Sequence, residues 1–135
     1  PRFLPGSRVH NVELDRVLMA DGCIVGGARI ERTVVGIRSV IGDDVHIQDT
    51  ILMGADYYET DVDTRPAGAP PMGIGIGTRI GGAIIDKNAA IGACVRIEPF
   101  PAGTDFDREN WSVRDGIVVV PKNAVLPDGT VIAPE

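Results

Sequence analysis

Aliphatic residues recur along this chain at intervals of five or six positions. The first run comprises Ile24, Ile30, Val35, Ile41, Ile47 and Leu52. The same intervals return from Ile74 to Ile97 and again from Val120 to Ile132. An amphipathic helix repeats its apolar face about every three or four residues, so this pattern argues against helices. It predicts short strands separated by turns.

The spacing predicts an all-β fold, a parallel β-helix of about five coils. Three steps cover 17 residues, and three flat sides close one triangular coil. The predicted buried columns are Ile24, Ile41, Ile74, Ile91 and Leu126; Ile30, Ile47, Ile80, Ile97 and Ile132; and Leu18, Val35, Leu52, Ile85 and Val120. Residues four positions further on are also expected to point inward: Ala28, Val34, Ser39, Val45, Ile51, Thr78, Ile84, Ala89, Val95, Ala124 and Thr130.

Two segments interrupt the repeat, at about 54–73 and about 98–115. Both contain Pro, Gly and Asp together with aromatic residues. Loops inserted into a solenoid often carry binding, which makes their aromatic side chains candidates for an interface. A structural role, in covering an open coil edge, is the alternative. The interface candidates are Tyr57, Tyr58, Phe100, Phe106 and Trp111.

Composition indicates one domain and excludes two classes of partner. The chain has 135 residues and a net charge of −6, which argues against a general binder of nucleic acid or of anionic membranes. No apolar run approaches the roughly 18 residues that span a bilayer, and the first residues lack a signal-peptide pattern, so we expect a soluble protein. Cys23 and Cys94 lack metal-site or redox-motif spacing and are expected to be reduced, structural thiols. No metal site is predicted.

Two segments are nearly the same: "IIDKNAAIG" from Ile84 and "VVPKNAVLP" from Val119. Each places a lysine, Lys87 or Lys122, two residues after a third-column position, so the two should lie on adjacent strands about 5 Å apart. Like charges at that distance repel by about 0.8 kcal/mol even in water. Either Asp86 and Asn88 compensate, or the pair holds a phosphate or carboxylate.

Arg38 follows Val35 by three residues, as Asn88 follows Ile85. It could therefore add a weaker third cation to the same wall, and a solvated surface charge is the alternative that we favour.

The hexapeptide units resemble those of left-handed β-helices, and several motifs are more specific. In chain order they are "PRFLPGSRV", "VVGIRSVIG", "DTILMGADYYET", "GIGIGTRI", "IIDKNAAIG" and "DGIVVVPKNAVLPDGTVI". Together they resemble the C-terminal domain of ADP-glucose pyrophosphorylase, also called glucose-1-phosphate adenylyltransferase. The resemblance runs from Pro1 to about Ile132.

The resemblance implies a parent enzyme that makes ADP-glucose and pyrophosphate from ATP and glucose 1-phosphate, for glycogen or starch synthesis. Catalysis, with Mg²⁺ and ATP, would belong to an N-terminal domain that we expect this chain to lack. No catalytic residue or cofactor is therefore expected here. The expected location is the bacterial cytoplasm, or the plastid in a plant.

The resemblance also implies partners. The family's β-helix packs on the catalytic domain, contributes to a tetramer and helps to bind sugar-phosphate effectors. Plant and cyanobacterial members bind 3-phosphoglycerate through lysines that match Lys87 and Lys122. The family's effector-binding arginines lie in regions missing here, so weak affinity is expected.

Two other functions stay open at this point. Hexapeptide acyltransferases use an interface histidine as a general base, and His46 is the candidate within the repeat, although an ordinary surface or interface role is favoured. A ligand-free oligomerisation module is the other alternative, and it leaves the paired lysines unexplained. The run "GIGIG" at 73–77 does not complete a phosphate-loop motif and is predicted to return the chain to a coil corner.

Overall fold

A computed structural model describes residues 4–59 and 69–134, and the strands in these ranges form three walls of a parallel β-helix. Wall 1 contains β1 (Arg8–Val9), β3 (Ile24–Val25), β5 (Val40–Ile41), β8 (Gly73–Ile74), β11 (Ala90–Ile91) and β16 (Val125–Leu126). Wall 2 contains the first halves of β2 (Glu13–Met19) and β4 (Arg29–Val35), then β6 (His46–Gln48), β9 (Arg79–Gly81), β12 (Arg96–Ile97) and β17 (Val131–Ile132). Wall 3 contains the second halves of β2 and β4, then β7 (Ile51–Leu52), β10 (Ala83–Ile85) and β15 (Ile117–Val120). A hairpin, β13 (Phe106–Asp107) and β14 (Ser112–Arg114), extends wall 3 in antiparallel fashion.

The coils stack in register, and this stacking builds the core. Ile41 pairs with Ile74, Ile74 with Ile91, and Ile91 with Leu126 along wall 1. Equivalent ladders run along the other walls, so the residues that the structure describes form five complete coils and two walls of a sixth. Each buried aliphatic side chain contributes roughly 1.5–3 kcal/mol, which allows such a core to form with few aromatic residues. The fully buried large side chains include Ile30, Ile41, Ile47, Ile91, Ile97, Leu126 and Ile132.

The predicted columns are wrong at their first members, Ile24 and Leu18. Ile24 is 44% exposed and Leu18 is 73% exposed. Their neighbours Val25 and Met19 take the inward places, since Val25 pairs with Ile41 and Met19 with Val35. The physical reason is coil length: pairing here joins residues 16 apart, one fewer than later in the chain. A one-residue shift in a strand turns every side chain to the opposite face.

The additional inward positions are correct on two walls, except that Ala124 and Thr130 in the last coil are only half-buried, and they are wrong on wall 3. Val34 and Ile51 are exposed, while Thr33 and Thr50 one position earlier are buried. The step into wall 3 is five residues instead of six, and side chains on one face of a strand lie two residues apart. The inward place therefore falls one residue earlier. Ile84 is half-buried for the same reason, with Ala83 inside.

The second excursion folds into the hairpin and closes against the coils. Val113, on β14, is fully buried. Phe100, Phe106 and Trp111 form one aromatic cluster, with ring centroids 5.3–6.4 Å apart, packed against the core. These residues thus cover part of the solenoid, as the structural alternative predicted. Whether they also form an interface stays a prediction.

Left-handed backbone conformations mark the coil corners. At the corner between walls 3 and 1, Arg38, Asn88 and Asn123 have φ of 57°, 63° and 65°. This confirms that Arg38 occupies the same corner position as the two asparagines. Gly54, at φ 90°, has no room for a side chain, because an added Cβ would clash with the Ile37 carbonyl oxygen. The "GIGIG" run enters wall 1 through β8 and then turns a corner, as predicted.

The two cysteines are free and differ in exposure. Cys23 is buried, and burial raises the pKa of its thiol, whereas Cys94 is exposed at a corner. Within the described ranges, no helix is long and apolar enough to cross a membrane.

A core substitution tests the stacking of the columns. Ile91→Ala should lower the free energy of unfolding by about 2–5 kcal/mol, because Ile91 is fully buried between Ile74 and Leu126. Ile76→Ala is the matched control, since Ile76 is 55% exposed on the neighbouring corner, and it should change stability by no more than about 0.5 kcal/mol. Urea unfolding followed by circular dichroism measures both, and equal losses would contradict the assigned register.

Candidate functional site

Lys87 and Lys122 lie one above the other at the corner that follows wall 3. Ile85 pairs in register with Val120, and the backbone N–H of Asn123 donates to the Lys87 carbonyl at 3.0 Å. The predicted stacking is therefore observed. These are also the only two lysines in the chain. Both lysine side chains of the sequence are thus concentrated at one place.

A carboxylate lies between the two amines. Lys87 Nζ is 3.2 Å from Asp56 Oδ1, and Lys122 Nζ is 3.3 Å from Asp56 Oδ2. Asp56 comes from the first excursion, just after the chain leaves wall 3. Each amine therefore has its own carboxylate oxygen, and the repulsion between the lysines is offset by a residue from the same chain.

The segment around Asp56 is fixed by backbone and side-chain hydrogen bonds. The Asp56 N–H donates to Asn88 Oδ1 at 2.9 Å, and Asn88 Nδ2 donates to Asp56 Oδ2 at 3.1 Å. The Ala55 N–H donates to the Ile37 carbonyl at 2.9 Å, while Arg38 Nη1 donates to the Ala55 carbonyl at 3.1 Å. Arg38 is therefore half-buried and holds the loop. The favoured interpretation of Arg38 as a solvated surface charge is therefore wrong, and a role for it in the anion site stays a prediction.

The predicted compensation by Asp86 is wrong, and that by Asn88 is indirect. Asp86 Oδ1 accepts from the backbone N–H of Lys87 at 2.6 Å, so it caps the local turn. Asn88 acts by binding Asp56. Asp56 was missed because it lies 31 residues before Lys87 and in an excursion, outside the repeat. The only sequence signal was its place in "MGADYY", directly after the strand stacked on β10.

Asp56 has a depressed pKa because it accepts hydrogen bonds from cationic and amide donors. The donors are, in order of effect, Asn88, Lys87 and Lys122. Each stabilises the ionised carboxylate. The pKa of Asp56 in the folded protein lies below the ordinary 3.8. The ionised carboxylate therefore stabilises the folded state, and this stabilisation is fully present at pH values above 3.8. The contribution is lost as the pH falls through the lower, folded-state pKa.

The tyrosines predicted to make contacts differ in their surroundings. Tyr57 is 55% exposed, next to the anion site. Tyr58 is half-buried, and its hydroxyl donates to the Gly22 carbonyl at 2.8 Å. Tyr58 thus ties the first excursion to an earlier coil, and an interface role for either residue stays a prediction.

His46 lies on the outer surface of wall 2. It pairs in register with Arg29 on one side and Arg79 on the other, along a cleft of about 790 Å³ that also contains Arg96. The side chain is exposed, so its surface location is as predicted. Among the described residues, no three His, Cys, Asp or Glu side chains group closely enough to hold a metal ion.

Comparison with known proteins identifies the family. Residues 2–131 match the family model described as the GLGC left-handed parallel β-helix domain. The chain belongs to this family, the C-terminal β-helix domain of ADP-glucose pyrophosphorylases. The family also gives the hand of the β-helix, which is left-handed as predicted. This reverses the usual right-handed crossover between parallel strands.

This β-helix domain has a similar relative in wheat. It is 43% identical over 137 residues to the protein named "Glucose-1-phosphate adenylyltransferase small subunit, chloroplastic/amyloplastic" of Triticum aestivum. The alignment covers 98% of this chain and 29% of the wheat protein. The β-helix domain therefore spans less than a third of the length of that relative.

The pKa of Asp56 offers a test of the geometry around the lysines. Carboxyl ¹³C NMR titration should place the pKa of Asp56 below 3.8 in the wild-type domain, because three donors stabilise its charge. The double substitution Lys87→Gln, Lys122→Gln should raise that pKa towards 3.8, with Asp56→Asn used to assign the resonance. A wild-type value at or above 3.8 would show that the carboxylate does not contact the amines.

Proposed function

We propose that this chain is the regulatory and oligomerisation domain of a glucose-1-phosphate adenylyltransferase. The parent enzyme would make ADP-glucose and pyrophosphate from ATP and glucose 1-phosphate, for glycogen or starch synthesis. Its catalytic residues, and Mg²⁺ with ATP, would belong to the N-terminal domain on which the β-helix packs. The name of the wheat relative supports the reaction, and the family supports the division between domains.

Within this proposal, Lys87 and Lys122 bind a phosphorylated effector of the sugar-phosphate type. The observation that carries the assignment is the position of Asp56, whose two oxygens lie 3.2 Å and 3.3 Å from the two amines. The pair can therefore hold one small anionic group between its charges. The lysine side chains are 38% and 53% exposed, which leaves them within reach of a ligand from solvent.

The proposed assembly role draws support from wall 3. Leu18, Val34 and Ile51 point outward from adjacent strands and are 73%, 41% and 45% exposed. The half-buried Ile84 and Val119 continue the same row. A row of stacked, outward-facing aliphatic side chains is typical of a protein contact surface.

Effector binding is tested by calorimetric titration with 3-phosphoglycerate at fixed ionic strength. The wild-type domain should bind weakly, and the double variant Lys87→Gln, Lys122→Gln should lose at least about tenfold in affinity, since charge-assisted hydrogen bonds to both amines are removed.

The matched control removes two stacked cations from wall 2, away from the lysine corner. Arg79 pairs in register with Arg96 on wall 2, so Arg79→Gln, Arg96→Gln changes the net charge equally. This control should bind the ligand as the wild type does. Equal heats from the wild type and the lysine variant would remove the effector assignment.

Assembly through wall 3 is tested by sedimentation velocity over a range of concentrations. Val34→Lys, Ile51→Lys should weaken self-association, because the charges would be buried at the contact. Val125→Lys, on an exposed position of wall 1, is the control. A wild-type domain that stays monomeric at high micromolar concentration would contradict self-association by this chain.

A further inference from the structure

We propose that Asp56 is a tethered competitor of the effector, a carboxylate that occupies the lysine pair in the free domain and leaves when an external anion binds. The inference rests on the proposed effector role of Lys87 and Lys122. It adds a built-in regulator to that site and assigns the role to one residue.

Occupation of the site by Asp56 follows from the distances. Both amines are engaged, each by a different oxygen of the same carboxylate. A third donor, Asn88 Nδ2, contacts Oδ2 at 3.1 Å. An incoming phosphate or carboxylate would bind the same two ammonium groups. Because two anions cannot share them without strong repulsion, external binding and internal binding exclude each other.

Release of Asp56 is feasible because its contacts are exposed. The Asp56 side chain is 40% exposed, and the side chains of Lys87 and Lys122 are 38% and 53% exposed. Ion pairs at such positions are individually weak. Tethering compensates for this weakness, since an intramolecular group acts at an effective concentration on the order of millimolar. A ligand at comparable concentration can therefore compete.

The chemistry of the vacated site defines the ligand class. Departure of Asp56 would leave two ammonium groups and one amide N–H of Asn88, all in one place. A phosphate group carries a charge of about −1.5 to −2 at pH 7 and a carboxylate carries −1, so a phosphate interacts more strongly with the two ammonium groups. We therefore expect a small phosphorylated anion to displace Asp56 more effectively than a simple carboxylate does.

The segment containing Asp56 would respond to its displacement. Arg38 holds the Ala55 carbonyl and Tyr58 holds the Gly22 carbonyl, so the residues on either side of the aspartate are tied to earlier coils. Exchange of one anion for another therefore changes the contacts of a short segment between two fixed points. This is a local conformational response at the proposed effector site.

The decisive variant is Asp56→Asn. Asparagine has the same shape and keeps a carbonyl oxygen that can accept from Asn88, but it has no charge to hold the lysines. The affinity for inorganic phosphate and for 3-phosphoglycerate should rise roughly 2- to 30-fold, the range expected for loss of two exposed ion pairs. Calorimetry at constant ionic strength measures the change.

The control is Asp107→Asn. Asp107 Oδ1 lies 2.6 Å from Arg114 Nη2 on the hairpin, so this variant also breaks an exposed aspartate pair and changes the net charge by the same amount. It should leave the affinity unchanged. An equal gain in this control would show that long-range charge causes the effect, and the role of Asp56 would be rejected.

A spectroscopic readout follows the amines themselves. With ¹³C-labelled lysine the domain gives signals from Lys87 and Lys122 alone, because the chain has no others. Both signals should shift on addition of phosphate, and in Asp56→Asn they should do so at lower ligand concentration. Amide spectra of both variants verify that the fold is kept.

The outcomes separate this inference from the proposed function. Tighter binding in Asp56→Asn that disappears when Lys87→Gln is added supports both. Lysine-dependent binding that is equal or weaker in Asp56→Asn overturns the role of Asp56 and leaves the effector site standing. Absence of lysine-dependent binding in the wild type and in Asp56→Asn removes the effector site, and this inference falls with it.

Discussion

Hydrogen bonding between successive coils is the constraint on which the rest of this structure depends. Each coil donates backbone N–H groups to carbonyls of its neighbour, from Arg8 at one end to Glu98 near the other. The bonds fix the register, and the register decides which side chains stack. Aliphatic residues then fill the inside of every wall. Outside, the same constraint stacks arginines on wall 2, aliphatic residues on wall 3 and the two lysines at the following corner.

The lysine site shows how a regular scaffold acquires a charged feature. Stacking alone would leave two ammonium groups about 5 Å apart with no counter-ion. The excursion that begins after β7 supplies one from Asp56, and Arg38, Asn88 and Gly54 fix the path that brings it there. The repeat thus supplies the cations, while the interruption of the repeat supplies the anion. A site of this kind can exchange its internal anion for an external one.

Much of this architecture was predictable because each wall repeats one simple pattern. The intervals located the three buried columns from Ile30 onward, and they placed Lys87 above Lys122. The errors at Leu18, Ile24, Val34 and Ile51 have one cause, since local changes of a single residue in coil or wall length reverse which side chains face inward. Asp56 was not predictable from spacing, because its position depends on a loop path set by tertiary contacts. The aromatic cluster of the hairpin is a further example, since no periodicity relates Phe100 to Trp111.

The register at the lysine corner can be measured directly by NMR through scalar coupling across hydrogen bonds in the ¹³C,¹⁵N-labelled domain. The stacking described above predicts a coupling between the amide nitrogen of Asn123 and the carbonyl carbon of Lys87, whose N···O distance is 3.0 Å. A coupling from Asn123 to the carbonyl of a different residue, or rapid solvent exchange of its amide, would show that the two coils are not aligned there. The lysines would then not form a pair.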